Sequence, residues 1–343
     1  VAIRKDIANR LREGRAIARI KYKAEEVGKE GNLRAGNSGI MSSDNQVAGS
    51  CHRIAHLRQL GIEVDPPGED TIIMFQVGTA NETIVYNDLL QTSAGHEVIL
   101  REEEIPIQWN TGNGTKVTGR PDMVLCAVTS EVDERSGISI QHVPELLLEL
   151  KSVASVWTTR SVLIDREPKL PHLVQAAHYM WKLGNIEGRL IYKQYAIQAM
   201  PDFAHRYFPR EGEAGSEYLE YNEKGQPRSV KPFELVYELQ LKNGVLRYRT
   251  EAVGSKKASK WNHTIVSTSD IERFYEFVSR MESDGELGPK PLTVSPDGTE
   301  KSYSNCKYCP LNSICSGAGS KKLTYSTWLQ KVRELVDSQS NNK

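Results

Sequence analysis

Glu149 and Lys151 stand at the end of an apolar run, ELLLELKSV over residues 145–153, bounded by Pro144. Such a run reads as a buried strand. Alternate side chains of a strand share a face, so Glu149 and Lys151 point one way and Leu150 the other. An unpaired buried charge costs several kcal/mol or more, so this pair calls for a compensating partner. A divalent cation shared with a carboxylate from a neighbouring strand supplies one. Asp122 is the natural carboxylate, because it follows Pro121, which cannot donate to a sheet ladder and lets the strand bulge and aim the Asp. Two carboxylates and the Leu150 carbonyl suit hard Mg2+ or Mn2+ with several waters retained. A metal so held lowers the pKa of a bound water and neutralises charge developing on a phosphate, while Lys151 orients that water or stabilises the transition state. Taken alone, an E-x-K is equally a structural ion pair on an edge strand.

Three further local signals accompany it. Gly78-Thr79-Ala80-Asn81-Glu82 falls on a predicted helix, Gly119-Arg120-Pro121-Asp122 leads into a strand, and Gln175-Ala176-Ala177-His178-Tyr179 lies on the helix after Lys151. Gln175 and Tyr179 are one turn apart and share a face, where they can touch a phosphate or orient a metal site. A separate cluster, Cys306-x2-Cys309-x5-Cys315, sits in a Gly/Ser/Asn/Pro-rich segment. Three thiolates this close can converge on one metal centre. Of the five cysteines, Cys126 lies in the apolar strand MVLCAV and reads as a core residue, and Cys51 opens a distant helix beside His52. Spacing alone fits structural zinc, with four cysteines or with three and His52, as well as it fits iron–sulfur.

The elements that position these residues follow from periodicity and punctuation. Residues 1–30 have helical spacing and many Lys and Arg; residues 31–48 read as a Gly/Ser/Asn-rich loop. Helices are expected over 50–60, 78–90, 171–183 and 270–282, strands over 96–103, 105–109, 118–127, 145–153 and 190–199, and a hairpin over 235–250 around Asn243-Gly244. Residues 209–232 read as a mobile polar insertion and the tail after Leu335 as frayed. The order implies an α/β core with a mixed sheet. Three parts are expected: a helical, basic segment over 1–48, a main domain over 49–320, and a helix with a polar tail over 321–343.

Composition sets wide bounds. At 343 residues, with 38% apolar and 26% charged residues, the chain has the makeup of a soluble globular protein that can bury a core without disulfides. No stretch approaches the roughly 18–20 apolar residues that cross a bilayer, and no apolar leader opens the chain, so the cytoplasm is the expected compartment. The net charge of zero does not suggest a polyanionic partner, but distribution matters more than the sum. Lys256, Lys257, Lys260 and Trp261 form a second basic cluster.

Together the ordered motifs G-x-x-x-E, G-x-P-D, E-x-K and Q-x-x-x-Y resemble the RecB-type branch of the PD-(D/E)XK nucleases. The distant Cys51 with the C-x2-C-x5-C tail resembles that branch's iron–sulfur members, such as the AddB nuclease domain and the CRISPR-associated RecB-like exonucleases. The motifs span about residues 50–315. The resemblance implies a restriction-endonuclease-like core, a mixed central sheet flanked by helices, with the N- and C-terminal segments joined by a metal cluster. It implies Asp122, Glu149 and Glu82 as Mg2+ or Mn2+ ligands, Lys151 as the residue assisting the nucleophilic water, and Gln175 and Tyr179 beside the site. It implies Cys51, Cys306, Cys309 and Cys315 around a 4Fe–4S cluster, with structural Zn2+ as the alternative. Many members carry a metal-binding His where this chain has Asn81. The implied activity is a DNA exonuclease on single strands or DNA ends, in recombination, repair or phage DNA processing, within a prokaryotic or phage-infected cell. An endonuclease of the same fold and a non-catalytic DNA-binding subunit are the alternatives, and a homo-oligomer or a recombination partner protein is compatible with any of them. For a threaded strand, Arg120, Arg160 and Lys260 are candidate phosphate contacts, and Trp157, Tyr179, Trp181 and Trp261 are candidate stacking rings.

Overall fold

The computed structural model describes residues 32–62, 64, 69–92, 97–101, 104–133, 137–153, 155–251, 258–301, 306, 309, 311–316 and 323–341. The basic N-terminal segment up to residue 31, Lys256 and Lys257 lie outside these. The chain is mixed α/β. Its strands are β1 Leu33–Arg34, β2 Gly39–Met41, β3 Val47–Gly49, β4 Glu97–Arg101, β5 Ile107–Asn110, β6 Lys116–Gly119, β7 Met123–Asp133, β8 Gly137–Ser152, β9 Glu187–Gln194, β10 Gln198–Ala199, β11 Leu219–Tyr221, β12 Pro227–Val230, β13 Phe233–Lys242, β14 Val245–Thr250 and β15 Asn262–Ser267. Its α-helices are α1 His52–Gln59, α2 Glu69–Thr92, α3 Val156–Thr159, α4 Leu170–Lys182, α5 Thr268–Asp284, α6 Asn312–Ser316 and α7 Tyr325–Asn341.

A seven-stranded sheet in the order β15-β14-β13-β9-β8-β7-β4 forms the centre. β8 and β9 are parallel, and their neighbours pair antiparallel. The parallel pair needs a crossover. Residues 153–186 supply it through α3, which runs on into a π-helical turn at 160–164, and α4. The two faces of β8 separate by parity. Leu147 packs with Leu190 and Tyr192 of β9 against Val174, Ala177 and Met180 of α4 in the main core. Leu148 and Leu150 pack with Ile191 against Val85, Tyr86 and Leu89 of α2 on the other face. A third core joins Leu57 of α1 and Met281 of α5 to Tyr325, Trp328, Leu329 and Val332 of α7, with Cys309 and Cys315 packed against it.

Several expectations hold. β13 and β14 turn at Asn243 and Gly244, whose φ values of 53° and 76° are those of a two-residue turn matched to strand twist. Other elements differ. The strand expected over 118–127 is two strands in two sheets, since β6 pairs with β5 and β1, whereas β7 pairs with β8 and β4. Pro121 therefore marks a break between strands, and the register shift lies instead at Leu125/Cys126, opposite Pro144 to Leu146. β8 is longer than expected and runs through Pro144. The segment read as a polar loop over 31–48 carries β1, β2 and part of β3, and α2 begins nine residues before Gly78. Residues 209–232, read as a mobile insertion, carry β11 and β12, which form a three-stranded sheet with β10 and bury Leu219 and Val230. The tail after Leu335 continues α7 to Asn341.

Gly119 has a packing reason. A Cβ there would stand 2.6 Å from the Ala35 Cβ and 2.7 Å from Cε1 of Tyr179. Gly78, by contrast, has open space around it, and nothing in the structure requires a glycine there. Overpacking typically costs about 1–3 kcal/mol. Gly119→Ala is accordingly expected to lower unfolding stability by about that much in urea denaturation, whereas Gly78→Ala is expected to be neutral or stabilising.

Candidate active site

The β7–β8 ladder ends at the pair Met123–Leu148, but β8 runs on to Ser152. The next N–H of β8 on that edge is that of Leu150, and Asp122, just before β7, accepts it on Oδ2 at 2.7 Å. Asp122 thereby caps an orphaned donor and is fixed beside the strand end. The N–H and C=O of one strand residue point to the same edge, so the Leu150 carbonyl also faces the Asp122 side, beyond the last ladder pair.

Glu149 and Lys151 project on the α4 face, as their parity requires. Glu149 has no exposed surface, and its Oε1 receives Lys151 Nζ at 2.5 Å. Its other oxygen, Oε2, is buried with no hydrogen-bond partner among the described residues. Burial and then the Asp122 carboxylate push Glu149 up to about 8, against the pull of Lys151. Burial likewise raises Asp122, while Lys151 and the Leu150 N–H oppose the rise. Burial alone would pull Lys151 down, but Glu149 and Asp122 outweigh it and hold the ammonium above its ordinary value. Asp122 and Glu149 thus both draw on the one Lys151 ammonium.

Helices close it from both sides. On α2, Glu82 adds its field to Glu149 and Lys151. Asn81, where the resembled family often has a His, donates through Nδ2 to Ser152 Oγ at 2.7 Å and so ties α2 to the end of β8. On α4, Gln175 Nε2 donates to the Tyr179 hydroxyl at 3.2 Å. Burial first and Glu149 second keep that phenol protonated. His178 beside it is a satisfied core residue. Trp109 Nε1 donates to its Nε2 at 2.9 Å, Ser38 Oγ lies 2.9 Å from Nδ1, and burial drives the imidazole down to about 3. One residue missed in the sequence belongs here. His172 stands one turn before Gln175 on the same stripe of α4, and burial and then Lys151 push it down to about 3. Its i, i+3, i+7 spacing with Gln175 and Tyr179 was the available signal.

The proposed strand contacts are not brought together. Lys260 and Trp261 precede β15, four strands from β8, or roughly 19 Å across the sheet. Trp261 is stacked by Arg247 and Arg249, each 4.5 Å from the ring centre. Trp181 packs on Trp109 and Lys182. Arg160 donates to the Tyr207 carbonyl at 2.7 Å and pairs with Asp165. Arg120 is exposed beside Asp122. Trp157, just past β8, is exposed with Phe203 and Tyr207 around it.

The cysteines do come together. Cys51, Cys306, Cys309 and Cys315 line one pocket with Arg53 and Lys290. Burial pushes the Cys51 thiol up to about 11 against the backbone N–H groups of Ile54 and Arg53, and Cys309 adds to the rise. His52, the alternative ligand, lies within hydrogen-bonding distance of the Leu287 carbonyl through Nε2, at 2.7 Å, and is not among the residues lining the pocket. Cys126 is a core residue, as expected. Among the described residues, no three His, Cys, Asp or Glu side chains are already gathered as a metal shell.

Because Glu149 has a raised pKa, the folded protein keeps a proton that the unfolded chain loses above its ordinary value of 4.5. Stability of the metal-free protein therefore falls as pH rises through that window, and a metal that needs the carboxylate binds better at the upper end. The buried histidines act in the opposite sense only below about pH 6.5. The rise in melting temperature on adding Mg2+ is expected to grow between pH 6.5 and 8.5, and Glu149→Gln is expected to abolish that growth. An equal Mg2+ effect at both pH values would contradict this assignment.

Comparison of the chain with protein-family models, curated proteins and solved structures finds no match.

Proposed function

We propose that the chain is a metal-dependent phosphodiester hydrolase acting on DNA, with a restriction-endonuclease-like core. The observation that carries this reading is the fully buried Glu149, whose Oε2 has no partner among the described residues, beside Asp122 and the Leu150 carbonyl at the end of β8. This all-oxygen donor set fits a hard divalent cation such as Mg2+ or Mn2+. Asp122, Glu149 and the Leu150 carbonyl would hold it, with Glu82 at hand from α2. When bound, the ion supplies Lewis-acid activation of water and charge neutralisation at the phosphate.

The chain's own groups do the rest. Lys151 stays protonated between Glu149 and Asp122 and offers an ammonium to the pentavalent phosphate as charge builds on its oxygens. Tyr179 and Gln175 are neutral donors that hold the α4 side of the cleft without competing for the carboxylates. Hydrolysis adds water across one P–O bond, so the leaving oxygen takes up a proton. Single strands or DNA ends are the substrate implied by the family resemblance. The four-cysteine pocket fits a thiolate-bound metal centre, a 4Fe–4S cluster or zinc, that ties α1 to the segment before α7.

End-labelled single- and double-stranded DNA, together with a circular single strand, is to be incubated with Mg2+, Mn2+ or EDTA. Metal-dependent cleavage is expected, reduced at least ~100-fold in Asp122→Asn and Lys151→Ala at unchanged fold. An intact circle marks an exonuclease and a cut circle an endonuclease. Tight DNA binding without cleavage would favour an architectural subunit and overturn the hydrolase reading. Separately, Cys306→Ser is expected to lose the metal found in the wild-type protein by elemental analysis. Iron with acid-labile sulfide identifies the cluster, and zinc alone identifies the other centre. Wild-type protein prepared without air that holds neither would contradict the thiolate site.

A further inference from the structure

Beside Lys151 lies a donor that the proposed hydrolysis does not use. In the parallel β8–β9 register Lys151 pairs with Tyr192, so both side chains face α4. The Tyr192 side chain is fully buried. Its hydroxyl accepts the backbone N–H of Lys169 at 3.0 Å and lies 2.8 Å from His172 Nδ1. Nδ1 is the one acceptor within reach of that O–H among the described residues, so Tyr192 donates and Nδ1 receives. The neutral imidazole must then carry its proton on Nε2. Among the described residues Nε2 has no partner, yet it is not sealed in the core as Glu149 Oε2 is. The N–H is thus oriented, fixed in tautomer and open to a ligand.

Its surroundings are cationic. Lys151 and Lys169 both act on His172. Lys169, half-buried at the start of α4, is depressed by its own burial and by Lys301. Among the described residues Glu149 pairs with Lys151 and Glu167 with Lys301 at 2.7 Å, and Glu167 and Asp165 act on Lys169. Two ammonium groups, Lys151 and Lys169, acting on an N–H donor that no described residue accepts are a poor arrangement for an empty surface and a good one for an anion.

We propose that His172 Nε2–H, flanked by Lys151 and Lys169, is a subsite for a phosphate group of the nucleic-acid strand next to the one being cleaved. It rests on the hydrolase reading for its position in the reaction, but its anion chemistry stands on these residues alone. The phosphate is either a terminal monoester or an internal diester. A terminal monoester would anchor a strand end, and an internal diester would hold a continuous strand.

The test compares wild type with His172→Ala, His172→Gln and Tyr192→Phe at matched melting temperature. Substrates are single-stranded oligonucleotides bearing 5′-phosphate, 3′-phosphate or hydroxyl ends. His172→Ala is expected to raise KM roughly tenfold or more, the worth of a hydrogen bond to a charged group, with kcat little changed. His172→Gln keeps an N–H donor and is expected to recover most of the loss. Tyr192→Phe frees the tautomer and is expected to raise KM in the same direction. Inorganic phosphate is expected to inhibit wild type more strongly than His172→Ala. A KM defect confined to one phosphorylated end identifies the monoester, and an equal defect on all ends the diester. Wild-type KM and phosphate inhibition in a folded His172→Ala overturn the proposal. So does a His172→Gln as impaired as the alanine variant, which marks a structural role. If wild type cleaves nothing, the hydrolase reading fails. The subsite is then judged by oligonucleotide anisotropy in EDTA, where equal affinities of wild type and His172→Ala overturn it.

Discussion

A carboxylate with no exposed surface and, among the described residues, one satisfied oxygen is the constraint around which the rest of this structure is arranged. Burying Glu149 is costly, and Lys151 answers for only one of its oxygens. An internal ion pair of this kind adds little stability by itself, and removing one partner leaves an uncompensated charge. A second acid, the part-buried Asp122, stands beside it at the end of β8. The sheet makes the arrangement possible. β8 outruns β7, so its last turns of ladder are uncovered on one edge, and Asp122 fills the first vacant hydrogen bond. The crossover to β9 then lays α4 over the face carrying Glu149 and Lys151, while α2 seals the opposite face and contributes Glu82 from its middle.

The cysteine pocket belongs to a different part of the molecule. It lies against the core of α1, the end of α5 and α7, separate from the core under β8 and β9. Cys51 and Cys306 are about 250 residues apart, so a shared metal would close a long loop, where cross-links restrict the unfolded chain most in principle. The two groups of donors differ in softness: sulfur at the cysteine pocket suits a soft or borderline metal, and oxygen at Asp122 and Glu149 a hard one.

What could be read from the sequence was what depends on local period. The Glu149–Lys151 parity, the hairpin at Asn243-Gly244, the α4 stripe of Gln175 and Tyr179, and the core role of Cys126 all follow from spacing of two to four residues. What could not be read depends on partners far along the chain. β1 and β3, two and three residues long, are too short to announce themselves, and they exist because Leu33 pairs with Val117 and Ala48 with Ile40. β6 and β7 look like one strand until their ladders diverge into two sheets. Residues 209–232 are polar on average, yet Leu219 and Val230 have each other's strands to pack with. His172 could not be singled out from spacing alone, because Tyr192, which lies against its Nδ1, is twenty residues away. Lys260 and Trp261, candidate contacts for a threaded strand, stand four strands from β8 in the sheet order.

The most direct test of the carboxylate centre is anomalous diffraction from crystals of the protein soaked in Mn2+. The account predicts a manganese peak bonded to Glu149 Oε2, the Asp122 carboxylate and the Leu150 carbonyl, with Lys151 still on Glu149 Oε1. A peak elsewhere, or a Glu149 Oε2 satisfied by a protein donor with no metal beside it, would contradict it.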